Sequence, residues 1–282
     1  MEIPLIVYGT WVDNIKNAPI MKDFVEIAIE LGYNHIDTAT NYGTELYTIE
    51  GITETNINRQ DIFFTSKIAL LVNIERMRTN LAGMQYYDLL LLHYPSLNTG
   101  SRQKFKQAIK PLWEGMQMYR NNGIVKNIGV SNFYLNHLDL LLEVCDEYNL
   151  SYPVVNQIEI HPGNLELAYV PYMKSKNIIP FAHTPLGGLS SKQLLSNEIF
   201  INIGRRIGAT PAQVVLAYML KRGIGVVTAS KNIDHMGESI RSRDFISILT
   251  DDDMKLINAT DTNLGPMIYN SNIAWEDNIQ LY

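Results

Sequence analysis

The sequence predicts a single-domain α/β protein, a (β/α)8 barrel of the TIM type, on three observations. Short apolar segments of strand character alternate with segments of helical periodicity, and the pair recurs eight times. A chain of 282 residues is long enough for one large core of that architecture. No Pro/Gly/Ser-rich linker, low-complexity stretch or short internal repeat divides it, so one domain is expected over residues 1–282. A doubly wound parallel sheet is the competing arrangement of the same pattern.

In chain order, residues 3–9 form a short apolar strand ending in Gly9-Thr10-Trp11. Pro19 suits the first turn of a helix whose buried stripe is Ile20, Phe24, Ile27, Ala28 and Leu31, with Gly32 placed to end it. The second strand runs through His35 and Ile36 to Asp37, where Thr, Asn and Gly signal a turn, and a helix follows over 45–55. The third strand is 61–67, followed by a helix over 73–84. The fourth, 87–93, is almost wholly apolar, as a strand covered on both sides should be. A helix over 103–121 stops at Asn122-Gly123, and strands 125–131 and 153–157 are followed by helices over 135–148 and 165–176. The seventh strand is 178–183. Thr210-Pro211-Ala212-Gln213 is a capping box with Pro in the first turn, and Gly223 ends the helix it opens. The eighth strand is 224–228, with a helix over 234–245; residues 261–282 lack periodicity and are expected to pack across one end of the barrel.

Composition narrows the partners. A net charge of −6 and a pI of about 5.5 disfavour nucleic acid and anionic membranes, which call for a basic face. The single cysteine, Cys145, lies on the helical stripe Leu138-x-x-Leu141-Leu142-x-x-Cys145, so a buried structural thiol is expected rather than a nucleophile. Neither a secretion signal nor an apolar run long enough to span a membrane is visible, and a reducing, cytoplasmic compartment is expected.

In a barrel of this kind the active site lies at the C-terminal ends of the strands. Those ends carry Thr10 and Trp11, Asp37, Lys67, His93, Ser131 and Asn132, Asn156 and Gln157, and His183. Asp37, Lys67, His93 and the loop residue Tyr42 form a set suited to acid–base chemistry. A phenol with a pKa near 10 is a poor acid at neutral pH. An ammonium beside it, from Lys67, lowers that pKa, and Asp37 would hold and balance the lysine. His93 would orient a substrate oxygen while Tyr42 gives it a proton. No His-Glu-x-x-His or Cys-x-x-Cys spacing points to a metal, and there is no Gly-x-Ser-x-Gly elbow. Asp37 and Glu159 make only a poor glycosidase pair, and Gly-x-Gly-x-x-Gly is absent.

With these residues in view, the chain resembles the aldo-keto reductase family. Gly9-Thr10-Trp11, Asp37-Thr38-Ala39 with Tyr42-Gly43, Thr65-Ser66-Lys67, Leu92-His93-Tyr94-Pro95, Gly129-Val130-Ser131-Asn132-Phe133 and Asn156-Gln157-Ile158-Glu159-Ile160-His161-Pro162 resemble its motifs, in its order. The resemblance implies an NADP(H)- or NAD(H)-dependent oxidoreductase that reduces a small-molecule aldehyde or ketone, with Tyr42 as proton donor and Asp37, Lys67 and His93 completing the tetrad. It also implies cofactor contacts from Thr10, Trp11, Asp37, Ser131, Asn132, Gln157, His183, Thr184, Leu186, Ser230, Lys231 and Glu238. Trp11, Tyr42, His93 and Tyr94 would line the substrate pocket, and a monomer is the family-like default.

Three departures qualify the resemblance. His183-Thr184-Pro185-Leu186 stands where the family has Tyr-Ser-Pro-Leu, with its tyrosine stacked on the nicotinamide. Imidazole can stack too, but it is smaller and could carry charge. Ala229 and His235 replace the usual Lys and Arg that grip the 2′-phosphate of NADP, with Lys231 two positions on, so NADP(H) and NAD(H) stand near even. Around the substrate, Ile68-Ala69 stands where many members place an aromatic. These changes leave open a second reading: a nucleotide-sensing or partner-binding barrel of the same family whose catalysis has faded.

Overall fold

Eight parallel strands close into one barrel, each paired with the next and the last returning to the first. They are β1 (Ile6–Gly9), β2 (His35–Asp37), β3 (Phe63–Ile68), β4 (Tyr87–Leu92), β5 (Val125–Ser131), β6 (Val155–Glu159), β7 (Ile179–His183) and β8 (Gly225–Thr228). The helices outside them are α1 (Met21–Glu30), α2 (Glu45–Glu54), α3 (Ile74–Asn80), α4 (Arg102–Asn121), α5 (Leu135–Tyr148), α6 (Tyr169–Ser175), α7 (Ser191–Leu195), α8 (Glu198–Ile207), α9 (Pro211–Lys221), α10 (Ile233–Ile240) and α11 (Asp251–Asn258). The computed structural model describes residues 2–72, 74–81, 83–95, 101–188 and 191–260. The expected packing of residues 261–282 lies outside the described residues.

A strand turns alternate side chains to opposite faces, and here every registered pair joins odd to odd or even to even, as in Tyr8↔Ile36, Ile36↔Phe64 and Leu90↔Ile128. The two faces therefore keep their parity around the whole barrel. Odd-numbered Val7, Phe63, Leu89, Leu91, Val155 and Phe181 form a separate apolar cluster inside it. Even-numbered Tyr8, Ile36, Phe64, Leu90, Leu92, Ile128, Val130 and Ile158 join the layer shared with the helices. Glycines make the inner cluster fit. A Cβ on Gly129 would stand 2.7 Å from Leu91 Cδ2 and 2.7 Å from the Val155 carbonyl oxygen, and one on Gly225 would stand 2.2 Å from the Phe181 ring.

His35 belongs to this interior, not to the catalytic rim. Its Nδ1–H donates to the Pro4 carbonyl at 2.8 Å, and its Nε2 accepts from the Thr65 hydroxyl at 2.8 Å, which fixes a neutral tautomer. The Phe63 ring lies 4.6 Å away. Burial pulls the pKa of His35 down to about 4.

Several boundaries differ from expectation for local reasons. Pro19 falls inside a 3-10 helix, Ile15–Ile20, that precedes α1, so the buried face shifts to Met21, Val25 and Ala28 while Ile20 is exposed. β6 begins at Val155, after Pro153, and runs on to Glu159. The helices α8 and α11 occupy stretches to which the sequence pattern assigns no element. Asn197 caps α8 through the Ile199 amide, and Thr250 and Asp253 form a reciprocal capping box on α11. The Thr210 box and the left-handed Gly32 and Gly223 stand as expected, and Cys145 is buried, its thiol pushed up to about 12 by burial.

Gly129→Ala should destabilise the barrel by about 1–3 kcal/mol, because the new methyl meets a backbone oxygen that cannot give way. Urea unfolding followed by circular dichroism measures it; an unchanged midpoint would show that the interior has slack.

Candidate active site

The parity of β2 and β3 brings Asp37 and Lys67 face to face at the upper end of the barrel interior, both almost fully buried. Lys67 Nζ donates to Asp37 Oδ1 and, at 3.0 Å, to the Thr38 carbonyl oxygen. The second Asp37 oxygen accepts from Gln157 Nε2 at 3.0 Å, across the barrel from β6. A buried ion pair survives only when its remaining bonding capacity is met, and these three groups meet it. Burial opposes the charge on Lys67, but Asp37 and Tyr42 outweigh it and hold the lysine pKa above its ordinary value.

Tyr42, on the loop after β2, is half-buried beside this pair, with Lys67 Nζ 5.1 Å from its ring centroid. His93, directly after β4, meets the same ring edge to face at 5.5 Å. Burial raises the Tyr42 pKa, and Lys67 pulls it back only partly. The expectation of a net-lowered phenol therefore needs correcting: before a substrate closes over it, Tyr42 is a protonated group with a cation ready beside it. His93 is pushed down to about 3 by burial, by Lys67 and by His183, so it is neutral. Its ring stacks on half-buried Tyr94 at 4.2 Å, and its Nδ1 is buried with no hydrogen-bond partner. A neutral imidazole carries one N–H, and an unpartnered buried Nδ1 costs least as a lone pair, which assigns the proton to Nε2.

Ser131, Asn132, Gln157 and His183 form the adjoining quarter of the rim. Ser131 Oγ donates to the Gln157 carbonyl oxygen at 2.9 Å. Asn132 holds the left-handed conformation (φ 62°), and its Nδ2 donates to the His93 carbonyl oxygen at 2.9 Å and to Ser131 Oγ at 3.2 Å. His183 reaches Asn132 Oδ1 through Nε2 at 3.0 Å and Thr184 Oγ1 through Nδ1 at 3.1 Å. Burial pulls its pKa to about 4, so the charge this ring could have carried is absent at neutral pH. Asn156 does not belong here: its even number turns it outward, where Nδ2 donates to the Phe133 carbonyl oxygen at 2.6 Å.

The remaining residues spread along the rim. Thr10 is buried with its hydroxyl donating to the Asp37 carbonyl oxygen at 3.2 Å, so it braces β2. Trp11 is 59% exposed and open to contact. Leu186 packs on the outer core beside the positive-φ Gly187 and Gly188. Lys231 faces Asp13 at 3.8 Å, and exposed Ala229 and His235 supply no strong cation nearby. Asn232 caps α10 by accepting from the His235 amide, Asp234 sits in the first turn, and Glu238 is bonded by the Thr210 hydroxyl. Asp13 carries no local signal, because only the fold brings it to Lys231. The buried pair Glu159 and His161 was legible as a motif but not as a unit. Imidazole Nε2 lies 3.1 Å from Glu159 Oε1 and Nδ1 3.0 Å from the Pro162 carbonyl oxygen, so the fold holds the two side chains together. Among the described residues no group of three or more His, Cys, Asp or Glu side chains could hold a metal, and no helix is long and apolar enough to cross a membrane.

Fold and site together define a (β/α)8 barrel with an acid–base cluster at its C-terminal rim. The model of the Aldo/keto reductase family matches residues 5–262. Aldo-keto reductase family 1 member C1 of Macaca fuscata fuscata is 31% identical, over 93% of this chain and 89% of its own. The 9,11-endoperoxide prostaglandin H2 reductase of Trypanosoma cruzi is 31% identical, over 91% and 87%. Among solved structures, an aldo-keto reductase enzyme from a Medee basin deep-sea metagenome library superposes with a TM-score of 0.82 at 31% identity, covering 100% of this chain and 97% of that one. An aldo/keto reductase from Brucella melitensis gives 0.76 at 30%, covering 92% and 95%. The chain belongs to the aldo/keto reductase family, whose members are NAD(P)H-dependent carbonyl reductases.

Neutral, depressed histidines set an acid limit on stability. Each binds a proton more readily when unfolded, so stability is complete above the unfolded value near 6.5 and is lost as pH falls toward 4. For fully buried His35 alone the loss between pH 7 and pH 5 should be about 2 kcal/mol. Urea unfolding at the two pH values measures it, and equal stabilities would contradict the buried neutral rings.

Proposed function

We propose that this chain reduces an uncharged aldehyde or ketone to an alcohol, using a nicotinamide dinucleotide and Tyr42 as proton donor. The observation that carries the proposal is the buried Lys67–Asp37 pair set against Tyr42, with a neutral His93 on the other side of the phenol. The donor set of Ser131, Asn132 and Gln157 is uncharged and offers both donors and acceptors, which suits a carboxamide, so these residues would hold the nicotinamide. A bound reduced dinucleotide supplies the hydride.

The chain's own residues do the rest. His93 offers an N–H to the carbonyl oxygen without bringing a charge that would need desolvation. Tyr42 gives its proton to the same oxygen as negative charge gathers there. The phenolate left behind forms beside the Lys67 ammonium, whose charge offsets the burial that otherwise raises the Tyr42 pKa. Asp37 keeps Lys67 in place and, through Gln157, ties it to the nicotinamide side of the rim. Exposed Trp11 and stacked Tyr94 are suited to walls for an apolar substituent. An intact tetrad favours this reading over a barrel that only binds nucleotide.

For the adenosine end we infer a site at least as suited to NADH as to NADPH. A 2′-phosphate carries nearly two negative charges and needs cations. Here Lys231 has Asp13 beside it, Asp234 occupies the first turn of α10, and Ala229 and His235 supply no permanent charge.

Tyr42→Phe should lower kcat by about 100-fold or more while leaving dinucleotide affinity within a factor of about two. Stopped-flow reduction of a panel of neutral aldehydes and ketones tests it, and undiminished turnover would remove Tyr42 as the donor. The double variant Ala229→Lys/His235→Arg should tighten NADPH about tenfold with little change for NADH, as two phosphate-facing cations would. Fluorescence titration reads this, and equal effects on both nucleotides would overturn the assignment.

A further inference from the structure

His183 is bonded at both ring nitrogens, and the network fixes the direction of each bond. Both hydrogens of Asn132 Nδ2 are committed, to the His93 carbonyl oxygen and to Ser131 Oγ. The atom facing His183 is therefore the amide oxygen, an acceptor, and His183 must donate to it from Nε2–H at 3.0 Å. Nδ1 then carries the lone pair and accepts from the Thr184 hydroxyl at 3.1 Å. Both flanking partners hold left-handed backbone, Asn132 at φ 62°, which asparagine tolerates, and Thr184 at φ 56°, which its branched side chain disfavours. A β-branched residue with positive φ is a genuine outlier, and such conformations persist where neighbouring structure imposes them. His183 is a neighbour that bonds to both.

We propose that His183 is a positioning residue of the nicotinamide pocket: by clasping Asn132 Oδ1 at one end and Thr184 Oγ1 at the other, it presets the Asn132 amide to meet the cofactor carboxamide as an acceptor only. The inference rests on the reductase reading above. It differs from a stacking role in one respect: what matters is the Nε2–H, not the flat ring. The ring is neutral because it is buried, and the charged or hydrogen-bonding groups that face it, Glu159, His161, Lys67, Asp37 and His93, do not restore its charge at neutral pH. The clasp also extends the catalytic network. It runs from Thr184 through His183 and Asn132 to Ser131 and the Gln157 backbone, while the Gln157 side chain bonds Asp37, the partner of Lys67.

The clasp and a stack predict opposite outcomes for two variants. His183→Phe keeps a flat ring and loses both bonds, whereas His183→Gln loses the ring but keeps an N–H near the Nε2 position. Wild type and both variants are titrated with NADH and NADPH, following intrinsic fluorescence. Phe should weaken binding about tenfold or more, as loss of both part-buried hydrogen bonds implies, and Gln should restore most of it. Phe binding as tightly as wild type, or Gln binding as weakly as Phe, would overturn the clasp. A second readout needs no cofactor: ¹⁵N spectra of the His183 imidazole at pH 7 should report the neutral Nε2–H tautomer. An Nδ1–H or protonated ring would overturn the proposal even if every variant folds and binds. If wild type binds neither nucleotide, the reductase reading fails and takes the positioning role with it. If wild type binds and Phe matches it, only the clasp fails.

Discussion

The buried pairing of Lys67 with Asp37 is the interaction on which the rest of the site depends. Two charges in a barrel interior cost several kcal/mol each to desolvate, and their attraction repays this only with good geometry and full hydrogen bonding. The Thr38 carbonyl, directly after β2, and the Gln157 amide on β6 supply that bonding. Below them the apolar cluster of Val7, Phe63, Leu89, Leu91, Val155 and Phe181 packs the axis. Its low polarisability is why the lysine charge reaches its neighbours so strongly.

That one fixed charge organises the ionisation of the rim. Along with burial, it helps to keep His93 neutral, and it works against the burial that raises Tyr42. At His183 the lysine adds to the effect of burial while Glu159 opposes it. The result is one paired ammonium and carboxylate, one protonated phenol and two neutral rings at the same end of the barrel. In the same place, Thr184 holds a backbone conformation rare for a β-branched residue. The described non-glycine residues with positive φ include Asn132 and Thr184, both of which are hydrogen-bonded to the His183 ring.

The periphery of the rim is less constrained. Ala229, Lys231, Asp234 and His235 are exposed, and Trp11 stands open. These exposed side chains can change without disturbing the barrel, whereas Asp37 and Lys67 are fixed by the register of β2 and β3.

The sequence alone carried the strands, their order and the residues at their ends, because apolar runs bounded by turn residues are local signals. The strand-end pattern named both Asn156 and Gln157, and only the family resemblance singled out Gln157, since which of two neighbours faces the axis depends on a register shared by all eight strands. The sequence placed Lys67 beside Tyr42 but missed the net direction of the phenol pKa, because burial is a sum over residues distant in the chain. The helices α8 and α11 had caps in the sequence, at Asn197 and Thr250, yet their apolar faces are short and make sense only against α9 and each other. Asp13 beside Lys231, and His183 on Asn132, had no local signal at all. Those pairs lie 218 and 51 positions apart in the chain; closure of β8 on β1 brings the first within reach, and the packing of β5, β6 and β7 the second.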